Sequence, residues 1–259
     1  MAEVTQRRYP LLEARGVSKR FGKVQALAEV DFQVDYGEVV GLVGDNGAGK
    51  STLVHVLTGV QAPDSGQLFL EGAPITLASP KDARALGIET VYQDLALVDH
   101  LSVARNFFLG RELTCRLGPI ALLDLAAMHR VTERVLQQVG ITTLRSAEEP
   151  VRMLSGGERQ AIAIGRAIHF GAKLLILDEP TSALSVRETR KVLDYIVQAK
   201  GWGLSVVFIT HNLQQVYPVA DRVVVLERGR KVGDFPRGAV TLDELTDLIS
   251  LQGGDPRVG

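Results

Sequence analysis

The sequence predicts an α/β fold in which an antiparallel β portion comes first and a helical portion is inserted between core strands. Three observations carry the prediction. Apolar runs of strand length at 38–43, 173–178 and 204–210 are separated by helical patterns, which calls for a parallel sheet covered on both faces. Ahead of them, Val30 to Tyr36 alternates apolar and polar residues with period two, the pattern of a half-buried strand. From about Leu95 to Gly165 strand patterns give way to helical spacing.

Taken in order, residues 1–10 read as a polar tail and Leu11 to Val17 as a strand. Lys19 to Gly22 reads as a turn carrying an exposed aromatic, Phe21. Gly37 turns the alternating strand into Glu38–Val43, and Thr52 to Thr58 is a helix stopped by Gly59. Pro63 to Gly66 is a turn before the strand Gln67–Leu70. Ser79 and Pro80 supply an N-cap and a first-turn proline for a helix ending at Gly87. The strand Ile88–Tyr92 then ends at Gln93. Within the helical block, Ser102–Phe108 and Asp124–Val139 are helices and Arg111–Pro119 is a loop. Leu125, Met128, Val131, Val135 and Val139 recur at three- and four-residue spacing. Further helices are expected from Glu158 to Phe170 and Val186 to Ala199, and closing strands at Arg222–Leu226 and Arg230–Val232. Thr241 and Glu244 form a capping box for a last helix, and residues 253–259 read as a tail.

The 259 residues suffice for one large domain, read here as 11–252 with the helical portion at about 95–165. A net charge of −1 lends no support to general nucleic-acid binding, and no nucleic-acid partner is expected. Cys115 is the single cysteine, so no disulfide can form within the chain. Residues 1–10 lack the apolar core of a signal peptide, and no apolar run approaches the ~20 residues a membrane-spanning helix needs. A soluble, cytoplasmic protein is expected, with any membrane role exercised through a partner.

The organising stretch is Gly44-Asp45-Asn46-Gly47-Ala48-Gly49-Lys50-Ser51, which matches the P-loop pattern G-x-x-x-x-G-K-[ST]. A strand precedes it and a helix follows, the context that separates this motif from an ordinary glycine-rich turn. Glycines let the backbone bend so that successive N–H groups face phosphate oxygens, and the helix N-terminus adds its partial positive charge. Lys50 would reach the β- and γ-phosphates, and the Ser51 hydroxyl would hold Mg²⁺. Asp178 and Glu179 end the apolar strand 174–177, at the C-terminal edge where ligands sit in parallel sheets. One acid would bind the metal and the second would orient and deprotonate an attacking water. A second glycine-preceded helix start, Leu154-Ser155-Gly156-Gly157-Glu158-Arg159-Gln160, is another anion-binding surface. The chain thus offers two phosphate sites and one P-loop lysine.

That second stretch resembles, at every position, the signature motif of ATP-binding cassette (ABC) proteins, and the other motifs of that family follow in order over roughly residues 11–235. The resemblance implies a P-loop NTPase core with an antiparallel β subdomain and an inserted α-helical subdomain. It implies ATP contacts from Phe21, as the adenine-stacking aromatic, and from Gly44, Asp45, Asn46, Gly47, Ala48, Gly49, Lys50, Ser51 and Thr52. It implies Mg²⁺ at Ser51, Gln93 and Asp178, and catalytic roles for Glu179, His211 and Gln93. Ser155, Gly156, Gly157 and Glu158 would act in trans, closing over ATP held by a second cassette, so a head-to-tail homodimer is expected. Ser182 to Ser185 occupies the D-loop, where Ser185 replaces the usual aspartate and puts coupling in question. The stretches Ser79–Ala83, Val91–Leu97, Leu101–Val103 and Asn106–Arg111 are similar to ATP-binding subunits of bacterial carbohydrate importers of the ribose/xylose/fructose group. This resemblance implies permease partners at the inner face of the cell membrane and, indirectly, a solute-binding protein. A soluble ABC ATPase of DNA repair or translation and a non-hydrolysing regulatory module are the rival readings; the first lacks its long coiled-coil insertion here, and intact Glu179 and His211 oppose the second.

Overall fold

The computed structural model describes residues 9–140 and 146–252. The tail readings at 1–8 and 253–259 lie outside the described residues. Strands β1 (Leu12–Phe21) and β2 (Val24–Val34) form an antiparallel pair. Strand β3 (Val39–Val43) runs into helix α1 (Lys50–Leu57). β4 (Ser65–Leu70) and β5 (Ala73–Ile75) return to the first sheet, whose order is β2-β1-β4-β5. Helix α2 (Pro80–Ala85) leads to β6 (Ile88–Val91). Next come α3 (Val103–Phe107), a hairpin of β7 (Thr114–Leu117) and β8 (Ile120–Leu123), α4 (Leu125–Gln138) and α5 (Gly156–His169). The α/β alternation resumes with β9 (Leu174–Asp178), α6 (Val186–Gly201), β10 (Ser205–Thr210), α7 (Leu213–Val216) and β11 (Arg222–Glu227). β12 (Arg230–Pro236) and α8 (Leu242–Gln252) follow.

The central sheet has the order β12-β11-β3-β10-β9-β6, parallel throughout except for β12. Its alternating side chains feed two cores, which is why its strands read as continuous apolar runs. Val39, Val43, Leu175, Leu177, Val206 and Phe208 face the layer that includes α4, α5 and α6. Val40, Leu42, Leu174, Ile176, Val207 and Ile209 face α1 and the antiparallel sheet. Gly41 admits a close neighbour: a Cβ there would lie 2.7 Å from Val216 Cγ2 of α7.

Three expectations are corrected. Lys19, Arg20 and Phe21 are not a turn; they extend β1 and pair with Leu27, Gln25 and Val24. The stretch 111–119 is not all loop, because 114–117 pairs with 120–123 in the β7–β8 hairpin. Ser79 precedes α2 but makes no side-chain cap; instead the Asp82 carboxylate accepts from Ala78 N at 3.0 Å. The capping box at Thr241 forms as expected, and Ser102 and Asp124 also cap α3 and α4 with their side chains. Asn106, fully buried, accepts from Val98 N and donates to the carbonyls of Val98, Leu101 and Ser102. It therefore ties the segment after Gln93 onto α3.

Candidate functional site

An open cleft of about 620 Å³ lies at the C-terminal edge of the central sheet. It is lined by Asn46 to Thr52, Gln93, Asp178, Glu179, Ser182 and His211, with Val24, Gln25, Ala26 and Arg228 at its rim. Strand register explains the convergence. Ile209 pairs with Asp178, and Thr210 with Val43, so the residues following β3, β9 and β10 emerge side by side. Val91 pairs with Leu177, which brings Gln93 to the same edge.

The phosphate-binding loop is shaped by its glycines at two positions. Gly44 has φ +150°, and a Cβ there would sit 2.2 Å from the Leu226 carbonyl oxygen. Gly49 has φ +102°, and a Cβ would sit 2.6 Å from the Ala26 carbonyl oxygen. A side chain at either position would therefore collide with backbone. Gly229 N donates to the Ala48 carbonyl at 2.9 Å, so the β11–β12 turn braces the loop from outside. Lys50, 8% exposed, donates to the carbonyls of Gly44 at 2.6 Å and Asp45 at 3.0 Å. Burial lowers its pKa, against the raising influence of Glu179, Asp178 and Asp45. An ammonium held this way is poised for an anion: phosphate oxygens would replace carbonyl dipoles with full charge.

Opposite the loop, burial pushes the Asp178 carboxyl above its usual range, and the neighbouring Glu179 charge adds to the shift. His55 and Lys50 pull the other way and do not cancel it. Glu179 has a left-handed backbone, φ 49°, unusual for a non-glycine residue and costing on the order of 1 kcal/mol. Its N–H donates to the Ile209 carbonyl at 3.0 Å. Glu179 Oε1 accepts from His211 N at 3.1 Å and lies 2.8 Å from His211 Nδ1, while Thr210 Oγ1 donates to Oε2 at 3.4 Å. The Glu179 side chain is only 15% exposed and that of His211 is 56% exposed. An acid oriented by a histidine at a cleft wall can align a water for attack.

The remaining predicted residues lie elsewhere. Phe21 is 45% exposed and does not line the cleft; its cross-strand partner Val24 does. Ser155, Gly156, Gly157 and Glu158 begin α5 and contribute nothing to this cleft. Ser155 and Glu158 form a reciprocal capping box, with Glu158 Oε2 accepting from Ser155 N at 2.9 Å and Oγ at 3.0 Å. Of the cleft residues, Val24, Gln25, Ala26 and Arg228 are absent from the sequence-based expectations; they sit in no motif and reach the site only through tertiary contact. The other histidines stay outside it, His169 within an aromatic cluster with Phe107, Phe108 and Phe170, and His129 beside Glu148.

A phosphate-binding loop at the edge of a mostly parallel sheet, with two acids at the end of a neighbouring strand, defines a P-loop nucleotide-binding protein. A family model described as ABC transporter matches residues 27–182. The chain is 45% identical over 227 residues to the fructose import ATP-binding protein FrcA of Rhizobium meliloti, covering 86% of this chain and 87% of that one. It is 45% identical over 240 residues to the xylose/arabinose import ATP-binding protein XylG of Sulfolobus acidocaldarius, covering 93% and 94%. It is 42% identical to the ribose import ATP-binding protein RbsA 2 of Burkholderia pseudomallei, but spans only 46% of that relative's length. Among solved structures, the ADP conformation of an ABC transporter's ATP-binding cassette superposes with a TM-score of 0.78 at 24% identity, over 96% of this chain and 97% of that one. A dimeric post-hydrolysis cassette bound to ADP and Pi superposes with a TM-score of 0.72 at 21% identity, over 88% and 100%. The chain belongs to the ABC transporter family and is an ATPase cassette of that family.

Proposed function

We propose that this cassette powers the import of a sugar, working as a head-to-tail pair of identical copies that hold two ATP molecules between them. One observation carries the reading: the lysine cradle, both acids and His211 share one cleft, while Ser155 to Glu158 lies outside it on the same chain. Each cleft is therefore half a site, and a second copy would supply the missing half. Sugar as cargo rests on the fructose, xylose/arabinose and ribose import proteins to which the chain is similar.

In this reading Lys50 and the loop N–H groups bind the β- and γ-phosphates, and Glu179, oriented by His211, accepts the proton of the attacking water. Phe21, paired on β1 with the cleft residue Val24, would stack on adenine. Ser51, Gln93 and Asp178 offer a hydroxyl, an amide oxygen and a carboxylate. These hard donors are too few to cage an ion alone, and they fit a Mg²⁺ that arrives on phosphate oxygens. Among the described residues no group of three or more His, Cys, Asp or Glu could hold a metal without such help. Mg²⁺ would neutralise charge building on the phosphates. The single cassette spanning 11–252, with its helical part at about 95–165, would pass closure through the Gln93 segment to membrane permease subunits on the cytoplasmic face. A solute-binding protein would act on their other side. No helix among the described residues is long and apolar enough to cross a membrane, so attachment would come through those subunits.

Mixing two inactive variants tests the shared site. Lys50→Ala damages the cradle and Ser155→Arg the lid, so a mixed pair retains one undamaged site. Activity should return to about a quarter of the unmodified level, from half the dimers with one of two sites each. No recovery on mixing would refute the shared site. In cells, the Lys50→Ala chain should abolish uptake of a labelled pentose or fructose; undiminished uptake would refute the sugar reading.

A further inference from the structure

Two helices that carry unrelated motifs begin side by side, and one carboxylate touches both starts. Helix α6 opens with its own capping box: Glu188 Oε2 accepts from Ser185 N at 3.0 Å and Ser185 Oγ at 2.7 Å, and Glu188 N donates back to Ser185 Oγ at 3.4 Å. The acidic character missing at Ser185 is thus delivered by a residue three positions on. The same side chain lies against the start of α5. A Cβ at Gly156 would sit 3.8 Å from Glu188 Oε1, and a Cβ at Gly157 would sit 3.4 Å from Glu188 Cβ. Hydrogen bonds from the Ser185 side chain and backbone hold the Glu188 carboxyl below its usual range, and the nearby backbone at Gly157 and Gly156 acts in the same direction. A carboxylate at two helix N-termini is favoured by the partial positive charge of both. Packing tightens the junction further: a Cβ at Gly156 would come within 2.4 Å of Leu184 Cδ2, so the 182–185 loop lies directly against the start of α5.

We propose that Glu188 is a positioning residue that ties the 182–185 loop to the serine-glycine start of α5, so that both meet the second copy's nucleotide as one rigid surface. Ser185 and Glu188 alone would complete an ordinary helix cap. The second carboxylate oxygen, turned toward Gly156, is what extends the cap across to a neighbouring helix. Loss of the tie would leave nucleotide binding in the cleft intact, because neither Glu188 nor Ser185 lines it. It would weaken only the step in which the lid of one copy closes on the other.

The inference rests on the two-copy reading, and the test separates them. In a Glu179→Gln background, ATP-driven dimer formation is followed by size-exclusion chromatography with light scattering, and binding of a fluorescent ATP analogue to dilute monomer is titrated in parallel. Adding Glu188→Ala should raise the ATP concentration at half-dimerisation by about fivefold or more, the low end of coupling between linked sites, with monomer affinity unchanged. Glu188→Gln keeps one acceptor oxygen for the Ser185 cap but puts an NH₂ donor where the second oxygen faces Gly156, so it should be about as impaired as Glu188→Ala. An unmoved midpoint in Glu188→Ala overturns the tie and leaves the shared site standing. A parallel loss of monomer affinity, or a Glu188→Gln variant that dimerises like its parent, also overturns it. If the Glu179→Gln parent itself never dimerises with ATP, the shared site falls and the tie falls with it.

Discussion

Replacing Glu179 by Gln removes a carboxylate charge while keeping nearly all local geometry. The Gln oxygen can still accept from His211 N, as Glu179 Oε1 does at 3.1 Å. The amide nitrogen would take the place of Oε2, whose only described hydrogen bond is the long one from Thr210 Oγ1 at 3.4 Å. Thr210 Oγ1 already accepts from Asn212 N at 3.0 Å, and it can turn to accept from the new amide as well. The strained backbone at φ 49° is no worse for Gln than for Glu. Stability should therefore change by no more than about 1 kcal/mol. Chemistry should suffer far more, because the proton acceptor is gone. General base catalysis contributes roughly 10²- to 10⁴-fold, equivalent to about 3–5 kcal/mol of barrier. Phosphate release at saturating Mg-ATP measures the loss, and titration of a fluorescent ATP analogue should show unimpaired binding. A kcat within about threefold of the unmodified chain would refute the assignment of Glu179 as base.

Lys50→Ala should weaken ATP binding by about 30-fold or more, the effect of truncating one partner of a buried charge pair. Its thermal unfolding should change little, since burial already opposes the lysine charge; unchanged ATP affinity by titration calorimetry would refute the cradle. Asp178→Asn tests the sign of a pH effect. The Asp178 pKa is raised above its ordinary value near 3.8, so its ionised form is disfavoured in the fold, and the stability present below that value is lost as pH rises through the raised one. At pH 7 the variant should melt higher than the unmodified chain yet hydrolyse no ATP, and the gap in Tm should close below about pH 4. A variant that melts lower at neutral pH would show that Asp178 is not held against a desolvation cost.

Much of this architecture is written in local pattern. The apolar runs at 174–177 and 206–209 have the length and β-branched content of strands buried on both faces, and the glycine spacing from Gly44 to Gly49 announces a loop closing on phosphate. The hairpin at 114–123 left no such trace. Ile120, Leu122 and Leu123 are all exposed, so no alternation of inside and outside marks the strand. Phe21 read as turn because Gly22 follows it, although pairing with Val24 keeps it extended.

The order of the motifs and the chemistry each residue type can perform were determined by the sequence alone, because both depend on neighbours along the chain. Tertiary structure decided which groups meet: Glu179 with His211, through the register of β9 on β10, and Glu188 with Gly156, through the packing of α6 on α5. Those meetings join residues about 30 positions apart, and no period or spacing encodes a distance that exists only after strands pair and helices dock.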